Sequence, residues 1–193
     1  MNKTINTREI QADTDPIFPS RWSPRSFSDK AVDSKLIEGL FEAARWATSC
    51  YNDQPWRFVY AVDQPHRQKY AEALVEQNRV WAAKAPVIGF VLCTKNFSQT
   101  GKPNRHAAFD AGSAWMSLAL QAHLSGLYAH GMAGFIMDKA YEVTGADREK
   151  YDIMAAFVVG YKGDPEDLPE QYRDMESPNT RIDLKEIMFE NQI

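Results

Sequence analysis

The sequence predicts an α+β layer fold. Three observations carry it. Residues 87–94 and 153–161 are apolar runs of strand length rich in β-branched residues. Residues 33–47 and 65–83 carry apolar side chains at helical spacing. No internal repeat and no linker long enough to split domains interrupts the 193 residues.

Residues 1–19 are polar, carry Pro16 and Pro19, and read as an extended arm before one domain spanning 20–193. A first helix is expected over 33–47, where Asp33 caps Leu36, Ile37, Leu40, Phe41 and Ala44. The loop 48–55 is rich in turn formers, and Trp56 to Val62 reads as a strand. A second helix fits 65–83, with Tyr70, Leu74 and Trp81 on its apolar side, and Ala85-Pro86 ends it. Val87 to Thr94 then reads as a strand buried on both faces, followed by a polar loop over 96–104.

Residues 105–125 are apolar on all sides, with Ala107, Phe109, Ala111, Trp115, Met116, Leu118 and Leu124 distributed around the helix. A helix apolar all round is buried all round. This one is about 30 Å long at 1.5 Å per residue. A small domain covers such a rod poorly, so part of it is expected to lie against a second copy of the chain. The alternative is a central helix wrapped within one chain. Gly126 ends it, and residues 127–133 read as a short strand or loop. Asp138 to Thr144 predicts a short helix stopped by Gly145, and Ile153 to Tyr161 an apolar strand. The stretch 162–180 is irregular, and Asp183 caps a last short helix through Phe189.

Composition excludes several classes. Lys and Arg number 22 against 26 Asp and Glu, a net charge of -4, so no overall basic field invites nucleic acid. The longest apolar run, Ala85 to Cys93, is too short to cross a bilayer, and the N-terminus lacks an apolar signal core. A cytoplasmic protein without a membrane partner is the expectation. Cys50 and Cys93 form no CxxC, and His66, His106, His123 and His130 form no HExxH, so neither a disulfide framework nor a metal site is expected.

Three segments are candidates for chemistry. In Arg21-Trp22-Ser23-Pro24-Arg25, Pro24 favours an extended chain, which puts Arg21, Ser23 and Arg25 on one face. Two guanidinium forks and a hydroxyl suit a phosphate or another cluster of anionic oxygens. In Ser49-Cys50-Tyr51-Asn52-Asp53-Gln54, free backbone N–H groups and two side-chain amides match a heterocycle edge. In Gly131-Met132-Ala133-Gly134, two glycines permit close backbone approach to a flat ligand, but no GxGxxG fingerprint is present. Taken singly, each also fits a bland role: a solvated basic stretch, plain turn chemistry, a tight turn before the next helix.

RWSPRSF at 21–27 followed by ATSCYNDQPWRF at 47–58 resembles the FMN-dependent nitroreductase family, in which an R-x-S-x-R/K segment precedes a helix and an S-x-x-N-x-Q-P-W loop. The likeness runs from about residue 20 to residue 190. It implies a mostly antiparallel four- to five-stranded sheet among helices, and an intertwined homodimer about a long central helix with two FMN at the interface. It implies that Arg21 and Ser23, with Trp22 among the cofactor-binding residues, serve the FMN phosphate or ribityl end, and that Arg25 lies beside the flavin N1–O2 edge. Ser49, Cys50 and Asn52, with Gln54 further along the loop, would reach the partner subunit's flavin. Asn78 would face the pyrimidine side, the backbone of Met132, Ala133 and Gly134 would border the ring, and Arg181 would close on the phosphate. Asn179 stands where the family often has a further basic residue.

The implied activity is ping-pong transfer of hydride from NAD(P)H through flavin N5 to a small nitroaromatic, quinone or enone. No protein nucleophile or acid–base pair is required for it. A non-catalytic FMN-storage protein is the alternative.

Overall fold

In a computed structural model, residues 8–193 are described. They form a four-stranded antiparallel sheet with helices on both faces. In chain order the elements are α1 (Ile17–Ser20), α2 (Ser34–Arg45), β1 (Trp56–Ala61), α3 (Gln64–Glu72), α4 (Glu76–Ala82), β2 (Val87–Thr94), α5 (Ala107–Leu124), β3 (Tyr128–Met132), α6 (Met137–Thr144), β4 (Tyr151–Gly160) and α7 (Glu170–Arg173). The strand order is β1-β2-β4-β3. Among the described residues, no helix is long and apolar enough to cross a membrane.

Strand β2 shows why this sheet has two faces. Val87, Val91 and Cys93 pack into one core with Ile37, Leu40, Ala114 and Leu118 from α2 and α5. Ile88, Phe90 and Leu92 pack into the other with Tyr70, Trp81 and Ala140 from α3, α4 and α6. Side chains alternate along a strand, so a central strand needs apolar residues at every position. Gly89 is the exception that proximity demands: a Cβ there would lie 2.6 Å from the Val59 carbonyl oxygen and 2.5 Å from the Phe157 ring.

Several expected elements appear as drawn from the sequence. Asp33 caps α2 by accepting from the Lys35 N–H. Others differ. The single helix expected over 65–83 is two helices, broken at Ala73-Leu74-Val75. The break satisfies backbone groups elsewhere: Val75 N–H donates to Gly134 O at 3.2 Å, and Ile136 N–H donates to Ala73 O at 2.7 Å. Tertiary pairing with residues 134–136 thus overrides local helical spacing. Asp183 caps only a single 3-10 turn, Leu184–Glu186, and the rest of the expected last helix is irregular. Of the N-terminal arm, residues 1–7 lie outside the described residues, and Ile17–Ser20 forms one helical turn.

Helix α5 leaves part of its apolar surface uncovered. Ala114, Leu118 and Ala122 are fully buried, whereas Phe109 is 76% exposed and Leu124 68%. Exposed apolar side chains continue in the C-terminal segment at Ile187, Met188 and Phe189.

Candidate functional site

The segment after α1 is extended, and its alternation sorts its side chains. Trp22, Pro24 and Ser26 are buried, while Arg21, Ser23 and Arg25 are half-exposed on the other side. Arg21 Nη1 lies 3.3 Å from Ser23 Oγ. Trp22 turns its ring inward, edge-on to Tyr128 at 6.1 Å, so its side chain does not join the basic face. The segment is stitched to the end of β4 and beyond: Ser28 N–H donates to Tyr161 O, and Gly163 N–H donates to Ser26 O.

A carboxylate from the far end of the chain fixes this backbone. Glu176, 7% exposed, accepts from Arg25 N–H at 2.8 Å and from Ser26 N–H at 3.0 Å. Nothing in the sequence flagged Glu176. It is one acid in an irregular stretch, and only the fold brings it beneath the basic strip.

Arg181 approaches Arg21 from the C-terminal segment. Burial, followed by the Arg181 charge, pushes the Arg21 guanidinium below its ordinary pKa. Arg21 Nε is buried without a hydrogen-bond partner. Among the described residues, no carboxylate forms a salt bridge with Arg21, Arg25 or Arg181. Arg8 also joins this corner, donating through Nη1 to Arg21 O at 2.6 Å and through Nε to Asn179 O at 2.7 Å. It sits in the polar arm, where no local pattern marks it.

His130, on β3, closes the other side of the strip. Its Nδ1 is 2.7 Å from Pro24 O, which makes Nδ1–H the donor, and its ring packs against Trp81 at a 38° tilt, centroids 4.7 Å apart. Burial, with Arg25 and Arg21 adding repulsion, pulls its pKa down to about 4. His130 is therefore neutral in the native state near neutrality. The unfolded chain takes up its proton near the ordinary histidine value of about 6.5. Stability is thus expected to fall as pH drops from about 6.5 towards 4, by up to about 3 kcal/mol, because only the unfolded state binds that proton. Denaturant melts across this range check it, and His130→Gln should flatten the slope.

The residues near the end of β3 form a second group. Asn78 Nδ2, from α4, donates to Gly134 O at 3.0 Å. A Cβ at Gly134 would lie 2.6 Å from that Nδ2, so the contact requires glycine. Met132 is buried and Ala133 exposed.

The third group is the 49–54 loop. Tyr51, Asn52 and Gln54 all adopt positive φ, at 52°, 56° and 51°. Three non-glycine residues in left-handed backbone store strain that the surroundings must hold. Gln54 N–H donates to Ser49 Oγ at 3.0 Å, and Gln54 Nε2 donates to Asn52 O at 3.0 Å. Cys50 N–H donates to Asp110 Oδ2 at 3.1 Å, and Asp110 is buried in the first turn of α5. Asp53 Oδ1 accepts from Ser98 N–H and Oγ–H, and Asp53 Oδ2 from Asn104 Nδ2, which fastens the loop to 96–104. Of these supports, an acid inside the otherwise apolar 105–125 stretch was a signal for Asp110.

The first two groups are neighbours, because Arg21 and Arg25 both act on His130, two residues before Met132. The loop lies elsewhere. It is tied to Asp110 at the start of α5, whereas burial, followed by the Arg21 charge, lowers the pKa of His123 in the last turn. Those positions are about 20 Å apart along the helix at 1.5 Å per residue. Within one chain, therefore, the loop does not meet the basic cluster. Among the described residues, no group of three His, Cys, Asp or Glu is placed to hold a metal ion.

Comparison with known proteins places this arrangement. Residues 19–89, which hold the basic strip, the loop and β1, match the Nitroreductase family. The chain is 32% identical over 174 residues to "Putative NADH dehydrogenase/NAD(P)H nitroreductase Smlt0482" of Stenotrophomonas maltophilia, covering 80% of this chain and 87% of that protein. A shorter match, 31% over 83 residues, links it to the similarly named SCO7141 of Streptomyces coelicolor and spans 41% of that relative. Among solved structures, an oxidoreductase containing FMN superimposes with a TM-score of 0.91 and 36% identity, covering 98% of each chain. Shared fold, shared motif region and near full-length sequence identity agree: the chain belongs to the nitroreductase family.

Proposed function

We propose that the protein is an FMN-dependent oxidoreductase in which residues 20–193 bind the flavin. It takes hydride from NAD(P)H and delivers it to a small flat acceptor such as a nitroaromatic, quinone or enone. The basic corner carries this reading. Arg21 and Arg181 hold like charges together beside the Ser23 hydroxyl, and Arg21 Nε is buried with no partner. Such a cluster is relieved by a dianion, and a phosphate monoester offers the oxygens to pair with guanidinium forks. The similar oxidoreductase contains FMN, which has such a phosphate.

When bound, FMN supplies the hydride chemistry, and the protein supplies binding, orientation and charge. Arg21, Ser23 and Arg181 hold the phosphate end. Arg25, its backbone pinned by Glu176, would place a fixed cation on the same face and would favour negative charge on a bound ring by about 1.5–3 kcal/mol. Asn78 and the Met132–Gly134 backbone, fastened together at Gly134 O, would border the ring. Neutral His130 adds no further charge there. No side chain needs to act as nucleophile or general acid. Donor and acceptor would share one site in turn, so ping-pong kinetics are expected.

The loop of Ser49, Cys50, Asn52 and Gln54 completes the site of a second copy of the chain. Its separation from the basic corner along α5 supports this, as do the uncovered Phe109 and Leu124. Apolar surface of this kind is normally buried by association. The expected solution mass is twice that of the chain, and Leu124→Glu should yield monomers that no longer retain flavin. Light scattering with absorbance detection reads both.

The deciding experiment is the absorption spectrum of the purified protein, followed by anaerobic mixing with NADPH and with NADH. A flavin spectrum that bleaches with either nucleotide supports the enzyme. Bound flavin that neither nucleotide bleaches would make this a storage protein, and an FMN-reconstituted protein that stays colourless would remove the cofactor.

A further inference from the structure

We infer that Arg8 is the third cation of the phosphate corner and the residue that straps the two ends of the chain together over it. The inference rests on the FMN reading above and extends it to a segment that the family match at 19–89 does not reach.

Arg8 is 13 residues from Arg21 and 171 from Asn179 in sequence, yet one guanidinium reaches both. Its Nη1 donates to Pro19 O at 2.9 Å and to Arg21 O at 2.6 Å. Its Nε donates to Asn179 O at 2.7 Å, and Arg181 Nη1 lies 3.4 Å from that same oxygen. Two guanidinium groups on one carbonyl stand side by side. A planar fork is suited to collecting carbonyls from separate segments in this way.

The strap has a second fastening. Gln11 Oε1 accepts from Leu184 N–H at 2.7 Å, and Gln11 Nε2 lies 3.4 Å from Asp183 Oδ2. Residues 8–11 therefore hold residues 179–184 against the basic strip. Closure brings three like charges into one corner, and Arg181 and Arg21 both push the Arg8 guanidinium below its ordinary pKa, after burial. Like charges resist that approach until an anion balances them. The phosphate is such an anion, and Arg8 serves it both by its charge and by fixing the Arg21 backbone and the Arg181 segment.

Removing the phosphate from the ligand isolates this role. Protein stripped of flavin is titrated with FMN and with riboflavin, which lacks the phosphate, for the natural chain, Arg8→Gln and Arg8→Lys. Arg8→Gln is expected to weaken FMN about tenfold and riboflavin less than twofold, with Arg8→Lys, which keeps the charge but not the fork, recovering only part of the loss. Equal loss for both ligands, or no loss for FMN, overturns the role of Arg8. A natural chain that binds FMN no better than riboflavin overturns the phosphate corner itself, and shows this before any substitution is made. Hydrogen exchange on the natural chain needs no variant. FMN should protect amides of 9–21 and 179–184 beyond riboflavin, and equal protection refutes the strap.

Discussion

Arg21→Ala is expected to weaken FMN binding about a hundredfold, the scale of losing two charge-assisted hydrogen bonds. The fork is half-buried, its Nε has no hydrogen-bond partner, and among the described residues Ser23 Oγ, at 3.3 Å, is its only side-chain hydrogen-bond partner. The flavin-free protein should melt at or slightly above the natural temperature, since the substitution removes a charge facing Arg181. That pairing separates a ligand-binding role from a structural one. Fluorescence titration at fixed ionic strength measures the first and calorimetry the second. Unchanged affinity would remove Arg21 from the phosphate site.

Glu176→Ala is expected to cost about 3 kcal/mol of stability, because one buried and one part-buried N–H lose their acceptor at once. The Arg25 and Ser26 amides donate to the two carboxylate oxygens at 2.8 and 3.0 Å, and Glu176 is itself buried. Glu176→Gln keeps the size but presents an NH2 group to one of those amides, donor against donor. It should recover less than half of the loss. Urea denaturation of both variants tests this, and near-natural stability of the alanine variant would show that water replaces the carboxylate.

The two faces of the sheet were legible in 87–94 and 153–161, because a strand buried on both sides must be apolar throughout. The first helix was legible through Asp33 and its apolar spacing. The interruption at 73–75 was not. Leu74 fits the helical pattern, and its neighbours' backbone groups leave it for partners at Gly134 and Ile136, some 60 residues away. The alternation of Arg21, Ser23 and Arg25 followed from Pro24 and extended geometry. Their supports did not. Glu176, Arg8 and Asp53 act through backbone amides, backbone carbonyls and a neighbouring loop, and no local pattern distinguishes them among 26 acids and 22 bases. Polar residues whose partners are distant backbone atoms leave no periodic trace, unlike apolar residues that share a face.

Helix α5 has a consequence beyond covering the sheet. Its first turn anchors the strained loop and its last turn carries His123, which feels the Arg21 charge, so in the proposed dimer it would set the spacing between the two flavin sites. One added turn would lengthen it by about 5.4 Å and misalign both sites together. The residue count from Asp110 to His123 is therefore constrained more tightly than the identity of the residues between them, and evolutionary drift should show there as exchange of side chains without insertion or deletion.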